Sequence, residues 1–316
     1  MAIGAYVRVI GRGRDGARSL TREQAADLFG QVLDGRASDL EIGAFCLAMR
    51  IKGETAAEFA GFLDATDARL RHLPDNGLTT VVLPSYNGAR KLPNLTPLLA
   101  LLLARAGAAV LVHGMPTEDA RITSVDIFAE LGHPTREHMP PHLHAGHCAS
   151  VSTSALSPGL ARLLDVRRAV GLRNSAHGVV KLMNPCAGRA FIIGSYTHAE
   201  YAETMAAALG MTGGHAMLLR GTEGEPVADP RRTPQIEVFC GGERRLVQAG
   251  RGGPLIAPPD LPRATSAAAI AAYTQAVLDG HLPVPEPIAC QVAHILREVN
   301  RSSPLDSTLA ATAEAP

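Results

Sequence analysis

Five stretches of the chain carry side chains able to do chemistry. The first is Pro84-Ser-Tyr-Asn87-Gly88-Ala-Arg90-Lys91, continuing through Leu-Pro-Asn94-Leu-Thr96-Pro97. It suits an oxyanion. Asn94 or Thr96 can cap a helix that Pro97 opens, and a helix N-terminus offers unpaired N–H groups at the positive end of its dipole. Arg90 and Lys91 add charge, and a guanidinium can grip a phosphate through two N–H groups. Without a ligand, the same residues are a capped loop bearing two solvated cations.

The second stretch is Gly171-Leu-Arg173-Asn-Ser-Ala-His177, with Lys181 beyond it. Between Pro158 and Ala190, Arg162, Arg167, Arg168, Arg173, Lys181 and Arg189 face Asp165 alone, a local charge of +5. On a helix over 173–183, Arg173, His177 and Lys181 are spaced by four and share a face, where like charges repel by roughly 0.3 kcal/mol per pair. A bound polyanion would relieve that repulsion, as would acids from elsewhere in the fold. The third stretch is the N-terminus, where Arg8, Arg12, Arg14, Arg18 and Arg22 against Asp15, with glycines between, read as a flexible basic arm. In the fourth, His138, His142, His144, His147 and Cys148 offer metal-type ligands, but their spacing matches no standard zinc module and the prolines suggest an exposed loop. In the fifth, Arg220-Gly-Thr-Glu223-Gly-Glu225, two carboxylates can hold Mg²⁺, work as acid and base, or pair with Arg231 and Arg232. No nucleophile–base pair or P-loop is present.

The elements that position these stretches divide the chain in two. Thr21–Gln24, Ser38–Glu41 and Thr55–Glu58 are capping-box patterns, each followed by helical apolar spacing. They predict a helical domain over 1–73, with part of 157–183 packing on it. Pro74-Asp-Asn-Gly77 marks the boundary, and 74–316 reads as an α/β unit. Strands are expected at Thr79–Leu83, Ala109–Val112, Ala190–Gly194, Ala216–Leu219 and Ile236–Phe239. Helices are expected at Thr96–Ala106, Ser157–Val170, Arg173–Met183, His198–Leu209, Thr265–Leu278 and Pro287–Val299. Strand, helix and strand in succession imply a parallel sheet. The last dozen residues are expected to fray.

The whole-chain composition sets outer limits. Of 316 residues, 46% are hydrophobic, enough for a buried core. Thirty cations balance thirty anions, which argues against a uniformly basic nucleic-acid coat but says nothing of a local groove. Aromatics are 4% and Trp is absent, so base-stacking platforms would rest on few rings. Five cysteines without a CxxC, no signal-like N-terminus and no apolar span point to a cytoplasmic protein outside the membrane.

This layout resembles the anthranilate phosphoribosyltransferases and related nucleoside phosphorylases over about Leu20 to Leu296. The resemblance implies a homodimer, associated through the helical domains, with a ligand cleft between helical and α/β domains. The motifs depart from the enzymes at specific points. Pro84-Ser-Tyr-Asn87-Gly88 replaces a Gly-Thr-Gly-Gly-Asp loop, and Pro84 and Tyr86 would obstruct a pyrophosphate. Asn94 and Thr96 match part of an Asn-x-Ser-Thr motif. A Lys-His-Gly-Asn motif becomes Val112-His113-Gly114-Met115, and the metal-binding acidic pair falls on Pro226 and Val227. Gly171 and Arg173 are kept, and Arg167 stands near the arginine that contacts anthranilate.

The loop from Pro84 to Lys91, the segment Gly171–His177, Lys181 and the Gly-Thr-Glu-Gly-Glu225 run look like the YbiB-type proteins, TrpD-like paralogues described as DNA-binding. That resemblance implies largely sequence-nonspecific nucleic-acid binding along a basic groove, with Arg162, Arg167, Arg168, Arg173, His177 and Lys181 on the polyanion. Asn87, Gly88, Arg90, Lys91, Asn94, Thr96, His113 and Arg173 would form the older phosphate site. No cofactor is expected. The alternative is a transferase using a phosphoribosyl-diphosphate-like donor with Mg²⁺, so enzymatic activity stays open at this level.

Overall fold

The computed structural model describes residues 2–13 and 15–301. Four helices open the chain: α1 (Ile3–Ile10), α2 (Arg22–Leu33), α3 (Asp39–Lys52) and α4 (Ala56–Asp67). All three capping boxes form at the starts of α2, α3 and α4, each satisfying two otherwise orphaned donors. Phe29, Phe45 and Phe62 fill the centre, with the Phe29 and Phe62 rings stacked at 4.6 Å. Glu58 closes the third box and is fully buried. Its carboxylate accepts from the Leu20 and Thr55 amides, both at 2.9 Å, and from Lys52 Nζ at 2.7 Å. A buried charge persists only when paired in this way.

The N-terminal segment expected to be a flexible arm opens instead with a packed helix. Ile3, Tyr6 and Ile10 bury one face of α1, and Arg22 pairs with Asp64 through two bonds of 2.6 and 2.7 Å. Apolar residues at helical spacing outweigh the later glycines. Arg14 lies outside the described residues, and so does the C-terminal segment 302–316.

The rest of the chain builds one seven-stranded sheet. Its strands are β1 (Thr80–Ser85), β2 (Ala109–Gly114), β3 (Cys148–Ser152), β4 (Ala190–Tyr196), β5 (Ala216–Arg220), β6 (Ile236–Cys240) and β7 (Glu243–Gln248). The order is β3-β2-β1-β4-β5-β6-β7, parallel through β5 and antiparallel for the last two. The helices are α5 (Thr96–Arg105), α6 (Ser124–Glu130), α7 (Thr153–Leu156), α8 (Pro158–Val170), α9 (Ala176–Val179), α10 (Ala199–Thr212), α11 (Ala267–Leu278) and α12 (Glu286–Arg301). Alternating side chains serve two cores. Val82, Leu111, Ile192 and Leu218 face the helical unit, whereas Val81, Val110, Ile193 and Met217 face the layer of α5, α11 and α12. The molecule is therefore a small N-terminal helical domain beside a larger, mostly parallel α/β domain.

The two parts meet closely. At Gly159 in α8, a Cβ would run into the Leu33 carbonyl oxygen, and at Gly178 it would lie 2.9 Å from the Phe59 ring. The expected helix over 173–183 does not form as one piece; only Ala176–Val179 is α-helical there. The Asn174 side chain accepts from the Ala176 amide at 3.1 Å and donates to the Leu163 carbonyl at 2.7 Å. Such local bonds compete with the helical ladder. Arg173, His177 and Lys181 consequently do not stand on one exposed helix face. Among the described residues no helix is long and apolar enough to cross a membrane.

Candidate anion-binding site

The loop leaving β1 does gather donors for an anion, and the chain itself supplies the anion. Ser85, Asn87 and Gly88 present donors on one side of the loop, and the Tyr86 ring packs on the other. On that one side sits the Glu225 carboxylate. Its Oε1 accepts from the Asn87 amide at 2.6 Å and the Gly88 amide at 2.7 Å. Its Oε2 accepts from the Ser85 hydroxyl and, at 3.2 Å, from Thr96 Oγ1 at the start of α5. Asn94 braces the loop, with its amide 3.0 Å from Ser124 Oγ and its carbonyl oxygen accepting from the Thr96 amide at 3.1 Å. Tyr86 does not obstruct this cradle; it is buried behind it, bonded to His113 Nδ1 at 2.8 Å and to Thr153.

Glu223 fills the adjoining position. Its carboxylate accepts from the amides of Arg90 at 3.1 Å, Lys91 at 2.7 Å and Leu92 at 3.0 Å, and Arg121 lies at 3.5 Å. Between the two acids, Gly224 has φ 89, and a Cβ there would run into Asn87 Nδ2. Only glycine fits that approach. The sequence alone offered these acids as metal ligands or as partners of Arg231 and Arg232. Arg231 and Arg232 pair with Asp229 instead. The readable signal was the Glu-Gly-Glu spacing itself, which places two carboxylates on either side of a residue without a side chain.

Lys181 holds this segment from below. Buried, its Nζ donates to the Gly224 carbonyl at 2.9 Å and the Ser195 carbonyl at 3.2 Å. Burial first, then the nearby Arg173, pushes its ammonium down to about 8, against an upward pull from Glu225. Lys181 also borders a cleft of about 620 Å³ between the helical unit and the ends of β4 and α10. Arg50, Arg173, His177, Tyr196 and Tyr201 line the same cleft. Among the described residues no carboxylate comes within ion-pair distance of Arg173. Burial first, then repulsion from Arg167 and Arg121, pushes it down to about 10, against upward pulls from Glu118 and Glu225. His177 is buried and neutral, lowered to about 3 by burial and then by Arg173, and its Nε2 has no hydrogen-bond partner among the described residues.

The remaining predicted residues are dispersed. Arg167 pairs with Glu118 at 2.6 Å, and Arg168 pairs with Asp119 and with Asp165 at 2.9 Å. The acids missing from the 158–190 window thus arrive from the loop after β2. Arg162 donates to the Leu33 carbonyl at 3.2 Å. His113 is fully buried beneath the loop and is held neutral, at about 3, by desolvation. Arg90 and Lys91 are exposed and carry no ion pair among the described residues. His138, His142, His144 and His147 are exposed. Among the described residues no group of three or more metal-ligating side chains forms. Mg²⁺ does not fit here either. Glu223 and Glu225 already accept from N–H and O–H donors, Val227 is in the apolar core, and Pro226 offers only a carbonyl that accepts from Gln291 at 2.8 Å.

The helical bundle, the crossover order of the sheet and a donor-rich loop at the end of β1 define the TrpD-like class, the fold of anthranilate phosphoribosyltransferases. Residues 7–69 match the family model described as the glycosyl transferase family, helical bundle domain. The anthranilate phosphoribosyltransferase of Thermus thermophilus superposes with a TM-score of 0.69 at 21% identity, covering 92% of this chain and 85% of that one. The Saccharomyces cerevisiae enzyme in complex with PRPP and Mg gives 0.70 at 12% identity, covering 94% and 88%. By sequence, the anthranilate phosphoribosyltransferase of Anaeromyxobacter sp. (strain K) is 29% identical over 72% of this chain and 68% of its own length. The uncharacterized protein YbiB of Escherichia coli (strain K12) is 36% identical over 96% of both chains, and this chain belongs to the YbiB family within that superfamily.

Proposed function

We propose that this chain is a nucleic-acid-binding protein on a phosphoribosyltransferase-derived fold, and that it contacts phosphates without base readout. The observation that carries the proposal is Arg173, half-buried in the cleft between the two units beside the exposed Arg50, with no carboxylate within ion-pair distance among the described residues. A desolvated guanidinium without a carboxylate is a costly arrangement that a bound anion reverses. Arg90 and Lys91 extend the free cations along the adjoining loop. Tyr196 and Tyr201 border the cleft and offer ring faces to an unstacked base.

The transferase reading finds less support, because Glu223 and Glu225 occupy the donors of the loop a diphosphate would need, and both carboxylates are already engaged there rather than held out for a metal. Homodimerisation through the helical unit belongs to the same proposal, supported by an unpartnered apolar stripe on α3 comprising Leu40, Leu47 and Ile51.

The test is equilibrium binding of labelled single- and double-stranded DNA by the full chain across a salt series. The slope of log K against log salt is expected to become shallower by about 1 in Arg173→Ala and again in Arg50→Ala. Unchanged slopes in both variants would remove these side chains from the interface.

A further inference from the structure

Glu225 takes two consecutive amides and two hydroxyls, and Glu223 takes three consecutive amides. Five backbone N–H groups converging on two neighbouring points form a site for two linked oxyanions, set beside a helix N-terminus. Around Glu223, Arg90, Lys91, Arg121 and Arg231 line an open cavity of about 520 Å³, so cations surround the outer position. The backbone marks the same place. Glu223, at φ 50, is the one non-glycine among the described residues in the left-handed region, a conformation that persists only when its surroundings hold it. The holders are the three amides on its carboxylate and Asn87 Nδ2, which donates to its carbonyl at 2.7 Å.

We propose that Glu223 and Glu225 act as a built-in anion plug, determining specificity by excluding diphosphate-type ligands from a cradle otherwise competent to bind them. Removing both carboxylates opens the site. Neither acid is a metal ligand or a proton carrier in this arrangement; each replaces a phosphate group. The inference rests on these hydrogen bonds and does not depend on nucleic-acid binding.

The test uses inorganic pyrophosphate as the probe, with calorimetry and ³¹P line broadening on the full chain. The Glu223→Gly/Glu225→Ala variant is compared with wild type and with a Glu243→Ala/Asp279→Ala control, which makes the same charge change at two exposed positions. Glycine suits the backbone at 223. The expected result is pyrophosphate binding at least about tenfold tighter in the plug variant than in either reference. Equal affinity in all three, or a gain matched by the control, would overturn the proposal.

If the double variant does not fold, Glu223→Gly alone is read by amide exchange at Arg90, Lys91 and Leu92. Faster exchange that pyrophosphate slows again supports the plug, and exchange indifferent to pyrophosphate overturns it. DNA binding measured on the same samples separates this result from the proposed function, since the plug can fail while DNA affinity stands, and the reverse.

Discussion

At the scale of single residues, an amino-acid type identifies a chemistry more securely than an occupant. Asn87, Gly88, Asn94 and Thr96 are legible as an anion cradle because amides and hydroxyls at a strand-to-helix turn have few other uses. That the anion would be Glu225, well over a hundred positions away in the chain, depends on the β5 crossover bringing its loop across the end of β1, which no local pattern encodes. Lys181 was legible as a cation but not as a strut, because its burial follows from the broken helix after Asn174.

His113 yields a prediction of its own. It is held neutral in the fold, lowered from 6.5 to about 3 by burial. Between those values the unfolded chain binds a proton that the native state does not, so stability falls as pH falls through the window, by about 1.4 kcal/mol per pH unit for one such group. His113→Gln is expected to flatten the dependence of Tm on pH between 6.5 and 3 relative to wild type. Parallel curves would show that His113 is not held neutral.

At the scale of elements, legibility followed the strength of the local code. The capping boxes of α2, α3 and α4 and the β-branched runs of β1, β2 and β4 were readable because local bonding and alternation agree with the tertiary environment. β3 was hidden by the histidine-rich segment that leads into it. β7 (Glu-Arg-Arg-Leu-Val-Gln) is an edge strand, where charge is normal and the apolar signal is weak. The lone helix over 173–183 failed because an i, i+4 charge pattern says nothing of an asparagine that bonds its own backbone.

The α3 helix carries an element-scale prediction. Leu40 is 84% exposed, Ile51 68% and Leu47 46%, all on the face turned from the phenylalanine core. If that face forms the homodimer contact, Leu40→Glu/Leu47→Glu is expected to shift light-scattering mass from dimer to monomer while helical content is kept. A monomeric wild type, or a dimer indifferent to the substitutions, would place the contact elsewhere.

At the scale of the molecule, the equality of thirty cations and thirty anions is an average over a folded arrangement. Folding brings Glu118 and Asp119 to Arg167 and Arg168, which removes much of the apparent basic run. Among the described residues it also leaves Arg50, Arg90, Lys91 and Arg173 outside any ion pair, on a cleft shared with Glu54 and Glu200 and on the loop beside it. The fold is that of the anthranilate phosphoribosyltransferases, but the loop leaving β1 wraps two internal acids, Glu223 and Glu225, and function follows the site.

The most direct test sets the two ligands side by side on the wild-type full chain: DNA across a salt series, and phosphoribosyl diphosphate with Mg²⁺. The account predicts DNA binding at low salt with log K falling linearly as log salt rises, and no Mg²⁺-dependent binding of the diphosphate. Absence of DNA affinity at low salt, together with saturable Mg²⁺-dependent diphosphate binding, would contradict it.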